Sequence, residues 1–123
     1  MWRNKLLFGS LLLLVSSCYQ KEDKLFGQWQ MTEAKMNEVT FAENQLDKTS
    51  IVFDESGNYT SIQFGKKEVG TYKSDGRELI MESQTFKSRP PLKVKIDLLN
   101  DSVFIYSSHE KRNEFYAKFK KLK

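Results

Sequence analysis

Residues 24–30 read Lys-Leu-Phe-Gly-Gln-Trp-Gln, and the organisation of the whole chain follows from them. Gly27 has no Cβ and lets the backbone turn tightly, whereas Trp29 carries a ring large enough to cover the end of a small barrel. We therefore predict that Gly27 and Trp29 open the first strand and plug one end of a β-barrel. Met31 is predicted to share the face of Trp29, because side chains alternate along a strand.

A leader precedes this stretch. Residues 1–5 form a short basic head, residues 6–15 (LLFGSLLLLV) are almost wholly apolar, and Ser-Ser-Cys follows. This order is typical of a secretory signal peptide, and the apolar run is far shorter than the roughly 20 residues that span a bilayer. We predict a cleaved signal peptide at 1–17, a polar tether at 18–24 and a folded domain at 25–123. The alternatives are an apolar first helix of the domain or a short uncut membrane anchor.

Residues 15–18 (Val-Ser-Ser-Cys) resemble the lipobox at which bacterial lipoproteins are cut and acylated. Val15 and Ser17 depart from the Leu and the Gly or Ala that the pattern prefers. The resemblance implies that Cys18 carries acyl chains such as palmitate and anchors the protein to a membrane. Each buried CH₂ of such a chain contributes about 0.8 kcal/mol to membrane binding. Cys18 is the single cysteine of the chain, so an intrachain disulfide is excluded.

The tether indicates which membrane carries the anchor. Tyr19 follows the cysteine, so the Asp that retains enteric lipoproteins in the inner membrane is absent. Residues 20–23 (Gln-Lys-Glu-Asp) resemble the signal that sends some Gram-negative lipoproteins to the outer face of the outer membrane. We expect a lipid-anchored outer-membrane protein exposed at the cell surface; the alternative is an anchor that faces the periplasm.

Net charge argues against a nucleic-acid partner. The chain has 20 basic and 16 acidic residues, and Arg3 and Lys5 lie in the predicted leader. Without residues 1–17 the formal charge is only about +2. A charge this small does not give the strongly basic footprint of a nucleic-acid-binding domain, and export of the protein leads to the same conclusion.

Short stretches with strand character follow one another along the domain, mostly separated by short turns. The predicted strands are residues 26–35, 49–53, 59–64, 68–73, 78–82, 92–98, 102–107 and 114–120. Eight strands with short connections predict an all-β, antiparallel, up-and-down barrel. The second choice is an open β-sandwich or half-barrel in which the first and last strands do not pair.

The stretch Leu-Phe-Gly-Gln-Trp and the hairpins after it, including Ile-Val-Phe-Asp and Gly-Thr-Tyr, resemble lipocalins and short bacterial lipocalin-like lipoproteins over residues 25–82. The resemblance implies a lipocalin-like barrel that holds a small hydrophobic ligand at the end opposite Trp29. In classical lipocalins an Arg near the end of the last strand stacks on this Trp. Here the last strand offers only lysines, Lys118, Lys120 and Lys121, and Arg112 precedes it.

Two later strands differ in how clearly they show their inner face. Residues 92–98 alternate strictly, which predicts that every second side chain faces inward. This inward set is Leu92, Val94, Ile96 and Leu98. Residues 102–107 are apolar on both faces, so the pattern leaves open two inward pairs. These are Val103 with Ile105, or Phe104 with Tyr106.

Two non-catalytic functions agree with an eight-stranded barrel, whose interior holds either side chains or one small ligand. The first is binding of a small hydrophobic ligand by inward side chains, predicted to be Phe53, Tyr72, Met81 and Ile96. The second is a structural or protein-interaction module with a filled barrel, which binds an envelope partner through loops 37–48 and 83–91. Loop 37–48 is predicted to contain one helical turn and to serve as a lid or as a plain surface loop.

The sequence offers little for catalysis or metal binding. His109 is the single histidine, and it lies in a polar stretch predicted to be a turn. Cys/His clusters for zinc, EF-hand spacing for calcium and glycine-rich phosphate loops are missing from the sequence. We therefore predict neither an enzyme nor a metal or cofactor site.

Overall fold

The computed structural model describes residues 24–122. The predicted signal peptide, the anchor at Cys18 and the predicted tether up to residue 23 lie outside the described residues. The part described contains nine strands and one short helix. These are β1 (Gly27–Met36), β2 (Val39–Thr40), α1 (Glu43–Leu46), β3 (Ser50–Phe53), β4 (Asn58–Gln63), β5 (Lys66–Ser74), β6 (Glu78–Ser83), β7 (Leu92–Leu99), β8 (Val103–Glu110) and β9 (Asn113–Lys121).

The long strands form one closed antiparallel barrel. From β3 to β9 each strand pairs with its neighbour in sequence, and β3 also pairs with β1. The barrel closes because β1 pairs with β9, from Trp29 opposite Lys121 to Met36 opposite Phe115. The prediction of an eight-stranded up-and-down barrel is confirmed, and the half-barrel alternative is wrong. The two-residue β2 only extends β1 into a small hairpin.

The loop after β1 contains the expected helical turn, α1, within residues 37–48. Gln30 holds this loop to the barrel, since its Nε2 donates to the carbonyls of Leu46 at 2.8 Å and Thr49 at 3.0 Å. Phe41 packs on Phe115 with ring centroids 6.0 Å apart. These contacts place the loop beside one end of the barrel.

Two register shifts decide which side chains face inward. In β1 the pairing with β9 shifts between Met31 and Glu33, so the buried positions change from Trp29 and Met31 to Ala34. In β7 the pairing with β8 shifts between Ile96 and Leu98. A β-bulge reverses the alternation beyond it.

The shift in β7 corrects part of the predicted inward set. Val94 and Ile96 are buried as expected, but Leu98 is exposed because the bulge turns it outward, and Leu99 packs on the core instead. Leu92 is also partly exposed, because it lies at the rim where the strand begins.

The two ends of the barrel differ. One end carries Leu25, Leu122 and the turns 54–57, 75–77 and 100–102, and we call it the closed end. The other end, called the mouth, carries the loops 37–49, 64–65, 84–91 and 111–112. This arrangement follows from the up-and-down order, because successive connections alternate between the two ends.

The core lies inside the barrel and is rich in aromatic rings. Phe104 and Tyr106 are buried while Val103 and Ile105 are only half-buried, which decides the face of β8. The buried cluster extends from Leu25 to Phe119, so a chain of residues 19–123 keeps all of it. Among the described residues, no helix is long and apolar enough to cross a membrane.

Candidate functional site: a cavity at the mouth of the barrel

Trp29, predicted to plug one end of the barrel, lies at the closed end. Its side chain is fully buried, and its Nε1 donates to the carbonyl of Leu25 at 2.8 Å. Lys121 Nζ lies 5.5 Å from the ring centroid, so a lysine supplies the cation–π contact that an Arg makes in classical lipocalins. Gly27 opens the strand with φ 126°, a value that other residues rarely adopt.

The aromatic packing above Trp29 forms the floor of a cavity. Phe104 meets the Trp29 ring edge-on with centroids 5.7 Å apart, and Phe53 lies 6.2 Å from Phe104. Above this floor the barrel is open, with a cavity of about 400 Å³. Its apolar wall includes Met31, Ile51, Leu79, Met81, Phe104 and Phe119. Side chains therefore fill the half near Trp29 and leave the half near the mouth free.

The four predicted ligand-binding residues occupy different depths. Phe53 and Met81 line the cavity. Tyr72 stands behind Phe53 at a ring distance of 4.8 Å, and its hydroxyl donates to the carbonyl of Asp54 at 2.7 Å, toward the closed end. Ile96 is buried in the core beside Tyr106, its partner on β8. The structure thus brings two of the four to the cavity surface.

A polar cluster, which the sequence reading missed, lies in the cavity wall near the mouth. Glu68 is only 7% exposed although it is charged. Its Oε2 accepts a hydrogen bond from the Tyr59 hydroxyl at 2.6 Å and another from Arg89 Nη2. Ser83 adds a further side-chain hydrogen bond. We call Tyr59, Glu68, Ser83 and Arg89 the Glu68 cluster.

The cluster keeps Glu68 ionised. Burial alone would raise the pKa of its carboxyl, but hydrogen bonds from Arg89 and Tyr59 and the positive charge of Arg89 outweigh this, so the pKa lies below its ordinary value. The pKa of Tyr59 is raised, first by burial and then by Glu68, so its hydroxyl stays a donor. The cavity wall therefore contains an ionised carboxylate paired with the Arg89 guanidinium.

Gly70 creates the space for Tyr59. It lies opposite Tyr59 in the β4–β5 pairing, and a Cβ built on it would lie 2.7 Å from Cε1 of that ring. The bare backbone thus lets the ring lie across β5 and point its hydroxyl at Glu68.

A signal for the cluster was present in the sequence. Glu68 precedes Tyr72 by four residues, and Tyr72 was predicted to face inward, so the alternation of β5 also turns Glu68 inward. The partner Arg89 carries no such signal, because it comes from the loop before β7.

His109 does not belong to this site. It lies near the end of β8 rather than in a turn, its side chain is 69% exposed, and its Nδ1 lies 3.3 Å from Oε1 of Glu114. Among residues 24–122, no group of three or more His, Cys, Asp or Glu side chains is placed to hold a metal ion.

Solved structures share this fold. A lipocalin-like protein from Bacteroides uniformis ATCC 8492 matches with 17% identity and TM-score 0.62, over 80% of this chain and 99% of that one. An uncharacterized protein from Bacteroides eggerthii DSM 20697 matches with 15% identity and TM-score 0.60, over 79% and 98%. No family model and no curated protein matches the sequence. The chain thus has a lipocalin-like fold.

Proposed function

We propose that this protein is a lipid-anchored envelope protein that binds one small hydrophobic ligand inside its barrel. The observation that supports this most directly is the cavity of about 400 Å³ that opens at the mouth. Its volume falls in the range of roughly 300–1,000 Å³ that small-molecule sites occupy. The proposal assigns no catalytic step to the protein.

The wall of the cavity favours an apolar ligand. Met31, Leu79 and Met81 contribute side chains that a ligand would shield further from water, at roughly 25 cal/mol for each Å² buried. Methionines adapt their shape to a guest more readily than branched side chains do. A barrel that acts only as a filled structural module has no use for this open half.

The anchor is proposed from the sequence. Cys18 follows an apolar leader, and the barrel strand β1 begins nine residues later, at Gly27. We place the acylated Cys18 in the outer membrane with the barrel facing the cell exterior, or with the barrel facing the periplasm as the alternative.

Native mass spectrometry of residues 19–123, purified gently from cell extract, tests the ligand proposal. We expect an adduct of defined mass that persists in Ile80→Trp and is lost in Met81→Trp. Met81 lines the cavity, whereas its neighbour Ile80 is exposed on the outer face, so the two variants form a matched pair.

A bare mass that stays bare after incubation with envelope lipid extract would refute the ligand proposal. It would favour the alternative in which loops 37–48 and 83–91 bind an envelope protein. An adduct that survives Met81→Trp would place the ligand outside the cavity.

Labelling with an alkyne fatty acid in the native host tests the anchor. We expect the full-length chain to take up label and to fractionate with the outer membrane, and Cys18→Ser to lose both properties. Cys18 is the single cysteine, so the control is unambiguous. Protease treatment of intact cells then separates the two orientations, since only a surface-exposed barrel is cleaved. Label retained by the serine variant would contradict the assignment.

A further inference from the structure

We propose that the ligand is an amphiphile with a positively charged head, such as a primary amine, and that this head binds Glu68 by displacing Arg89. This inference rests on the proposed ligand-binding function. It follows from which member of the Glu68 cluster is fixed and which can be replaced.

Glu68 is the fixed member. It lies within β5, and its partners Tyr59 and Ser83 belong to the flanking strands β4 and β6. The hydroxyl of Tyr59 reaches Glu68 Oε2 at 2.6 Å, so the carboxylate is oriented by the barrel itself. A carboxylate buried in this way needs a cation beside it, because an unpaired charge would lose its hydration without compensation.

Arg89 is the replaceable member. It comes from the loop 84–91 at the mouth, and its side chain is 48% exposed. The guanidinium also stacks on Phe86 of the same loop, with Cζ 5.0 Å from the ring centroid. The loop is held to β5 at its beginning, where Gln84 N and the Thr85 hydroxyl bond to the backbone of Val69. Arg89 can therefore leave while the base of the loop stays in place.

The charges select the head of the ligand. An amine that replaces Arg89 restores a charge-assisted hydrogen bond to Glu68 and keeps the carboxylate paired. An acid would compete with Glu68 for the Arg89 guanidinium and bring a second carboxylate close to Glu68, and neighbouring like charges oppose ionisation of both. Glu110, which also lines the cavity near the mouth, adds to the negative charge. A neutral head gains no charge-assisted hydrogen bond to Glu68 and no attraction to Glu110.

Isothermal titration of residues 19–123 with decylamine, decanol and decanoate tests this inference, since the three probes share a chain and differ in their head. We expect decylamine to bind at least about tenfold tighter than decanol, with decanoate weakest, as a charge-assisted hydrogen bond requires. Glu68→Gln should make decylamine and decanol equal. Arg89→Met, which removes the competing cation, should tighten decylamine binding and leave decanol unchanged.

Glu82→Gln serves as the matched control because Glu82 is exposed on the outer face of β6 and does not line the cavity; it should keep the preference for the amine. Equal binding of the three probes to the wild-type protein, or tightest binding of decanoate, overturns the charged head but leaves the ligand-binding function intact. Failure of all three probes to bind, together with a bare native mass, overturns both. If Glu68→Gln does not fold, unchanged decylamine affinity in Arg89→Met is sufficient to refute the inference.

Discussion

Gly70→Ala gives the sharpest test of how β4, β5 and β6 pack. A Cβ at this position would lie 2.2 Å from the carbonyl oxygen of Glu82 and 2.7 Å from Cε1 of Tyr59. Tyr59 could rotate away, but the oxygen belongs to the backbone of β6. Because ordinary carbon–oxygen contacts are about 3.3 Å or longer, β5 and β6 must separate by about 1 Å at this point.

The displacement of β5 from β6 determines how much stability Gly70→Ala should lose. Overpacking in a well-packed interior typically costs about 1–3 kcal/mol, and each weakened ladder hydrogen bond between β5 and β6 on either side of Gly70 adds about 1 kcal/mol. We therefore expect Gly70→Ala to lower the free energy of unfolding by about 2–4 kcal/mol. This is a large part of the roughly 5–15 kcal/mol available to a typical domain.

Urea unfolding of residues 19–123 measures this effect. Trp29 is the single tryptophan of that stretch, so its fluorescence follows the closed end of the barrel. The matched control is Gly65→Ala. Gly65 has φ +83° with no heavy atom within 4 Å of the added Cβ, so the control has only a conformational cost of about 1–2 kcal/mol.

The comparison separates the two causes. Gly70 has no positive φ, so its cost must come from the contacts with Glu82 and Tyr59. If Gly70→Ala proves no more destabilising than Gly65→Ala, the close packing of β5 against its neighbours is wrong.

Three further changes test other parts of the barrel. Trp29→Phe keeps a ring but loses the hydrogen bond to the Leu25 carbonyl. It should lower the free energy of unfolding by about 1–3 kcal/mol, measured by urea unfolding followed by circular dichroism. Ala34→Leu should also lower the free energy of unfolding by about 1–3 kcal/mol, measured by differential scanning calorimetry. Ala34 and its partner Ala117 are both fully buried where the barrel closes, so a larger side chain would overpack this seam. The pKa of Glu68 is lower in the folded protein than in the unfolded chain, where it is about 4.3. The pairing of Glu68 therefore stabilises the protein at pH values above about 4.3, and this stabilisation is lost as the pH falls through the folded pKa. The difference in unfolding free energy between wild type and Glu68→Gln should therefore shrink below about pH 4.3, and a constant difference would contradict the ionised cluster.

The fold was predictable because hairpin spacing and alternation are local properties of the sequence. Turns such as the one at Gly57, which has φ 87°, separate the strands clearly. Alternation failed at Leu98 because the bulge in β7 depends on its pairing with β8. Alternation could not decide which face of β8 points inward, because both faces of that strand are apolar. Phe104 faces inward because it packs between Trp29 and Phe119.

The site was predictable only in part. Phe53 and Met81 could be assigned to the interior by alternation, and both line the cavity. The Glu68 cluster depends on tertiary contacts, because Arg89 lies 21 residues from Glu68. No local pattern determines how the loop 84–91 folds back over the mouth.

The position of Trp29 has a consequence for the orientation of an anchored barrel. The described chain begins at Lys24, beside the sealed end, and the mouth lies a strand's length away. Lys24 lies six positions after Cys18, a span of at most about 20 Å when the chain is fully extended. If Cys18 is acylated as proposed, this short tether would keep the sealed end nearer to the membrane than the mouth. A ligand of the proposed kind would then reach the mouth from the aqueous phase or from a facing surface.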